Sequence, residues 1–316
     1  MDNFNIERPL VSFVVLAYNQ ERFVKEAVEA ALAQTYQPLE IILSDDCSAD
    51  KTFAMMCDVV EGYKGPHKII LNRNQKNLGL GAHVDRVAAM AKGDYLVLAG
   101  GDDVSVPERV NRSMEIIFRN GELGGVFGMY HEFSGTFQDS GNWKPRTFKE
   151  DHVVAGGPNQ WIRRSKKGRF VVGPGCTAMW NKKLFTDFPP IPEGVMVEDI
   201  ILGYRALISG MGVGAVSSGM VYYRVHGSNI CAGVDRPIFA QRSLFAKAVL
   251  VRDVLYLKKK SPELYSEHDW NRILFTAKTM LYRAVVLSRT EHLGKFITRL
   301  LLLLGLKSAV SEDAPK

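Results

Sequence analysis

Only four cysteines occur in the 316 residues, Cys47, Cys57, Cys176 and Cys231, and no two stand in a CxxC spacing. That scarcity argues against a disulfide framework or a thiolate zinc site and fits reduced thiols in a cytoplasmic protein. Long apolar runs are missing as well. No stretch of about 18 uncharged apolar residues is present, so no transmembrane helix is expected. No basic segment followed by an apolar run opens the chain, so no secretory signal is expected. Internal repeats and low-complexity tracts are absent. Most of the chain also lacks charge of one sign: residues 1–235 carry 25 Lys+Arg against 27 Asp+Glu. An extended phosphate track for nucleic acid is therefore not expected.

The chain does have an ordinary globular composition, 46% hydrophobic and 23% charged, enough for one large α/β domain with an appendage. Its net charge of +6 comes from the end, where residues 236–316 carry 15 Lys+Arg against 7 Asp+Glu. Such a tail either meets an anionic surface or forms a solvated helical face.

Short apolar runs alternate with helical spacing. Leu10 to Leu16, Leu39 to Leu43, His67 to Leu71 and Tyr95 to Ala99 read as strands. Helices are expected over 22–34, after a cap at Ser48 or Asp50, and over 82–91. This alternation predicts βαβ units and a mostly parallel sheet. Beyond Asp103 the pattern loosens: strands are expected near 125–130, 177–180 and 215–223, and a helix over 197–208. Three long helices, near 237–258, 266–288 and 293–306, complete the reading.

Ligands of parallel α/β sheets bind beyond the carboxyl ends of the strands. The residues there are Ala17-Tyr18-Asn19, Ser44-Asp45-Asp46 and Gly100-Gly101-Asp102-Asp103. Three polar or acidic strand ends could line one crevice, and Tyr18 could offer a ring face to a flat base. Gly79-Leu80-Gly81 follows no strand and does not read as a dinucleotide fingerprint. Glu198-Asp199 heads a helix whose N-terminus favours negative charge, so Asp199 is expected to stay ionised.

The segments 11–36, 39–52, 77–81, 93–110, 197–210 and 222–229, in this order, resemble the family 2 glycosyltransferases. The resemblance implies a GT-A-like fold: a Rossmann-like, mostly parallel central sheet with flanking helices. It covers about residues 9–230. The expected domains are 1–235, with a nucleotide-binding half near 9–110 and an acceptor half near 111–235, and a C-terminal helical extension over 236–316. It further implies that Ala17, Tyr18, Asn19, Asp46, Asn77, Gly79 and Asp102 bind the nucleotide, with Asp46 accepting from a uracil or thymine base. Asp102, Asp103 and His226 would hold a divalent ion, Mn²⁺ in preference to Mg²⁺ because imidazole joins the donors. The family's Asp-x-Asp reads here as Gly100-Gly101-Asp102, so the first carboxylate is missing. Asp199 would be the base and Glu198 its neighbour in an inverting displacement.

The implied donor is a UDP- or dTDP-sugar, and the acceptor a hydroxyl of a carbohydrate or lipid-linked saccharide in bacterial surface polysaccharide synthesis. A non-catalytic sugar-nucleotide-binding protein and a nucleotidyltransferase are the alternatives. The latter usually has a Gly-rich, basic phosphate loop after the first strand, where this chain has Ala17-Tyr18-Asn19-Gln20-Glu21. The basic run at 161–169 is either an exposed loop or a phosphate contact. The Leu-rich segment 292–309 fits an interfacial helix on anionic lipid at the inner face of the cell membrane, or a helix packed on protein, including a second copy.

Overall fold

A computed structural model describes residues 8–137, 150–160, 173–229 and 236–288. The expectations placed on Cys231, on 161–169 and on 292–309 lie outside the described residues. Four parallel strands build one half of the sheet: β1 (Val11–Ala17), β2 (Leu39–Asp45), β3 (Lys68–Arg73) and β4 (Tyr95–Gly100). Between them run α1 (Val24–Leu32), α2 (Thr52–Val60) and α3 (Leu80–Met90). β1 and β2 are buried along their whole length, which is why they read as continuous apolar runs in the sequence.

The second half is mixed. After β5 (Val104–Ser105) and α4 (Arg109–Asn120) come β6 (Leu123–Phe133), β7 (His152–Val154), β8 (Met179–Asn181), α5 (Lys183–Thr186), α6 (Glu198–Ile208) and β9 (Gly212–Arg224). The sheet order is β3-β2-β1-β4-β8-β6-β9-β5, with β7 on β9. β8 runs antiparallel to both β4 and β6, while β6 and β9 are parallel. The parallel expectation thus holds for the first four strands and gives way to a mixed sheet beyond them.

Residues alternate between two cores. Val14, Leu16, Ile42, Leu96 and Leu98 face α3, α6 and the C-terminal helices α7 (Arg236–Lys260) and α8 (Glu267–Ser288). Val11, Phe13, Val15, Ile41 and Val97 face α1, α2 and α4. The result is a three-layer sandwich. A buried ion pair fastens α7 to α6: the Arg205 Nε donates to Asp253 at 2.7 Å, and the guanidinium also donates to the Leu184 and Pro189 carbonyls. α4 was not anticipated from the sequence. No helix among the described residues is long and apolar enough to cross a membrane.

Candidate active site

Strand order reverses between β1 and β4, and their carboxyl ends open on one edge of the sheet. Backbone bonds knit that edge: Asp46 N–H donates to the Ala17 carbonyl and Gly101 N–H to the Leu16 carbonyl. Tyr18 projects from it, 46% exposed, with its ring accessible to a planar ligand. Asn19 sits at φ 52°, in the left-handed region, where a short polar side chain can bond locally. Its backbone N–H donates to Ser48 Oγ at 2.8 Å, and its Oδ1 accepts from Ala49 N–H at 2.9 Å. Glu21 and Asp50 trade similar bonds with Lys51 and Glu21 backbone N–H groups. The loops after β1 and β2 therefore form one rigid lip.

Asp46 is only 3% exposed. Its carboxylate accepts from Asn74 Nδ2 at 2.8 Å, Leu78 N–H at 2.9 Å and Gly79 N–H at 2.9 Å. Those bonds hold the 74–79 loop against the strand ends. Asn77 Oδ1 accepts from Gly79 N–H, and Gly79, at φ 75°, opens α3. Three donors fill most of the acceptor capacity of Asp46, so its first task is to shape this loop.

Across the edge, β5 pairs antiparallel with β9, Val104 opposite Tyr222. That register carries Arg224 and the following His226 to the loop after β4. His226 Nε2 lies 2.9 Å from Asp102 Oδ2. Ser228 N–H donates to His226 Nδ1, and the ring leans on Phe23 with centroids 4.7 Å apart. Asp103 behaves differently from its expected role as a ligand. It is 4% exposed and accepts from Arg224 N–H at 3.0 Å. Burial, and then the Asp102 charge, push its carboxyl well above the ordinary value. Asp103 thus pins β9 to the loop, while Asp102 and His226 alone meet. Among the described residues no group of three His, Cys, Asp or Glu side chains could hold a metal. A side chain Cβ at Gly100 would stand 2.7 Å from Asp102 Oδ1, so the space left by the missing carboxylate is taken by Asp102 itself.

The 2.9 Å gap between one carboxylate oxygen and one imidazole nitrogen matches two adjacent donors around an ion with bonds of about 2.1 Å. A hard divalent cation often takes only one or two protein ligands and fills its shell with phosphate oxygens and water. In this structure the two groups hydrogen-bond to each other; Asp102 and His226 are the residues that could hold such an ion.

Glu198 and Asp199 open α6, as the sequence predicts. Asp199 Oδ1 accepts from Ile200 N–H at 2.8 Å, and its side chain packs on Gly175. The helix N-terminus was expected to dominate its charge state. Burial wins instead: it raises Asp199 above the ordinary carboxylate value against the lowering effect of the N–H bonds. Burial, aided by the Asp199 charge, takes Glu198 up to about 8. Both effects favour the protonated form of Glu198. Cys176, in the turn between Gly175 and β8, links the two halves of the site. Burial and the charges of Asp103, Asp102 and Asp199 push its thiol well up, against the opposing pull of Arg109. The charges of Asp102 and Asp199 are thus both felt at the Cys176 thiol.

Two buried cations support the site, and neither was anticipated from the sequence. Arg109 NH1 donates to Ser105 and its NH2 to the Leu98 and Ala178 carbonyls; burial lowers it to about 10. Arg224 braces Asp102 from behind. The sequence shows both only as single cations, with no sign of burial.

The profile described as "Glycosyl transferase family 2" matches residues 12–187. The succinoglycan biosynthesis protein ExoO of Rhizobium meliloti (strain 1021) is 35% identical over 112 residues, 34% of this chain and 29% of that protein. The crystal structure of S. aureus TarS 1-349 in complex with UDP-GlcNAc superposes with a TM-score of 0.59 at 18% identity, over 93% of this chain and 79% of that one. The mannosyltransferase PcManGT from Pyrobaculum calidifontis, in complex with GDP-Man and Mn²⁺, gives 0.57 at 14% identity, over 98% and 89%. These two share the fold. The matched stretch spans 29% to 66% of the length of the curated relatives compared, such as ExoO and the Bacillus subtilis (strain 168) protein EpsH.

Proposed function

Since the chain belongs to glycosyltransferase family 2, we propose that it moves a sugar from a nucleotide-diphosphate donor to a hydroxyl of a carbohydrate or lipid-linked saccharide, with inversion, in polysaccharide synthesis. The observation that carries this reading is the Asp102–His226 contact after the end of β4, together with Asp199 heading α6 against Gly175.

The donor base lies against Tyr18, in the lip built by the 17–21 and 45–52 loops. The 74–79 loop, held by Asp46, closes over its edge. UDP- or dTDP-sugars are the donors favoured by this reading. An ion held by Asp102 and His226 would supply Lewis-acid stabilisation of the departing diphosphate. Asp199 takes the proton of the acceptor hydroxyl as its oxygen attacks the anomeric carbon from the face opposite the diphosphate. A carboxylate raised above its ordinary value is a stronger base than a solvated one, and neutral Glu198 beside it leaves Asp199 as the charge of the pair. The likeness to ExoO, a succinoglycan biosynthesis protein, supports a polysaccharide setting, and the UDP-GlcNAc complex of TarS and the GDP-Man and Mn²⁺ complex of PcManGT support a nucleotide-sugar donor and an ion.

A donor-hydrolysis screen tests this. UDP- or dTDP-sugar hydrolysis that rises with Mn²⁺ is expected; turnover confined to GDP-sugars, or equal with and without Mn²⁺, would count against the donor and ion readings respectively.

The same proposal puts the enzyme on the cytoplasmic face of the membrane, with the basic, Leu-rich 292–309 segment as its contact. Removing residues 292–316 should then abolish partitioning onto phosphatidylglycerol-containing vesicles. Equal partitioning of the full and shortened chains, or partitioning that follows self-association instead, would reject it.

A further inference from the structure

Arg224 is almost fully buried, 1% exposed, between the rings of Phe23 and Phe133, whose centroids lie 4.8 and 4.3 Å from its guanidinium carbon. A guanidinium carries five donors in a rigid fork, and burying one is favourable only when they are paired. Here each edge of the fork is used. Nε donates to the Asp102 carbonyl at 2.8 Å, one terminal nitrogen donates to the Gly135 carbonyl, and the other pairs with Glu26 on α1. The residue's own backbone takes part too. Its N–H donates to Asp103, and its carbonyl accepts from Asn229 Nδ2 at 2.9 Å. Asn229 Oδ1 in turn accepts from His226 N–H at 2.6 Å.

The residue therefore reaches both supports of the Asp102–His226 pair: its side chain grips the backbone of Asp102, and its backbone carbonyl, through Asn229, fixes the turn that presents His226. The opposite end of the clamp, Glu26, is 28% exposed on the wall of a pocket of about 640 Å³ that also includes Val104, Phe137 and Tyr222. A change at Glu26 slackens the clamp without opening a hole in the core.

We propose that Arg224, anchored by Glu26, is a positioning residue that holds Asp102 and His226 at contact distance for the donor's diphosphate. This rests on the proposed role of that pair. Partners that orient metal-binding side chains typically change metal affinity by about 10–100-fold when removed. Lysine keeps the charge of Arg224 but lacks the planar fork, so it cannot reach the Asp102 carbonyl, the Gly135 carbonyl and Glu26 together.

The test compares the full-length parent with Glu26→Gln and Arg224→Lys. Two quantities are read: the Mn²⁺ concentration giving half-maximal donor hydrolysis, and the ring ¹⁵N signals of His226 at fixed pH without metal. In Glu26→Gln, which keeps the core intact, the Mn²⁺ midpoint is expected to rise about tenfold. The His226 signals should move toward those of a solvent-exposed histidine, while donor KM at saturating Mn²⁺ stays near the parent's. Arg224→Lys should shift both readouts further if it folds. A folded Glu26→Gln protein with parental His226 signals overturns the clamp, whatever its activity. A parent indifferent to Mn²⁺ whose His226 signals still respond to Glu26→Gln retires the ion reading and retains the clamp.

Discussion

Asp199→Asn is expected to lower sugar transfer by roughly 10²–10⁴-fold, the usual worth of a positioned general base, while folding and donor binding stay parental. Asparagine matches aspartate in size and keeps an oxygen that can accept the Ile200 N–H bond seen at 2.8 Å. What it removes is the ability to take a proton. In the parent, activity needs the ionised form, so it should fall as pH drops through an Asp199 value that burial has raised. The acidic limb of the kcat/KM profile should accordingly lie above the range of an ordinary aspartate, and this limb should vanish in the variant. Single-turnover transfer, donor titration and thermal melting measured on the same preparations separate the possibilities. Near-parental turnover removes Asp199 from the base role, and a collapsed melting transition would make its role structural.

The first half of the molecule was legible because its strands obey one rule. β1, β2 and β4 are covered on both faces, so Val11–Ala17, Leu39–Asp45 and Tyr95–Gly100 appear as apolar runs ending at polar residues. The ends of those runs are where the site stands. α4 escaped notice because its inward face includes Arg109 and Ser113 beside Val110, Met114, Ile116 and Ile117, and a buried arginine spoils the apolar period. β9 starts at Gly212, ahead of the expected 215–223, where Gly212 and Gly214 break the apolar pattern, and its ladder with β6 shifts register around Ser217 and Ser218.

At the strand ends the sequence lists the polar groups but not their orientation. Asp102 and Asp103 are neighbours in sequence, yet one meets His226 and the other is sealed under Arg224. Asp46 was read as a contact for the base, and its oxygens hold the 74–79 loop. A string of letters records which groups can accept hydrogen bonds. Which donors reach them first depends on tertiary packing.

Glu198 extends the argument to stability. Its folded-state value of about 8 stands above the ordinary 4.5 because burial and the Asp199 charge disfavour the ionised form. Below the ordinary value both folded and unfolded chains carry the proton, and Glu198 costs nothing. Between the two values the folded protein binds more protons than the unfolded chain, so stability must fall as pH rises through this window. Above about 8 both states are ionised and the whole penalty remains. Glutamine has the shape of the protonated acid and never pays this penalty. Glu198→Gln is therefore expected to melt near the parent at acidic pH, to lose stability less steeply through neutrality, and to be the more stable protein in alkaline buffer. Since burial favours the protonated form of Glu198, the variant should also transfer sugar at close to the parental rate at neutral pH, and it should keep doing so at alkaline pH, where an ionised Glu198 would crowd the charge of Asp199. Melting curves of the two proteins that stay parallel from acidic to alkaline pH would show that Glu198 ionises freely in the folded state. Lost transfer in a stable Glu198→Gln protein at neutral pH would show that the reaction needs its carboxyl group, and would move part of the proton chemistry from Asp199 to its neighbour.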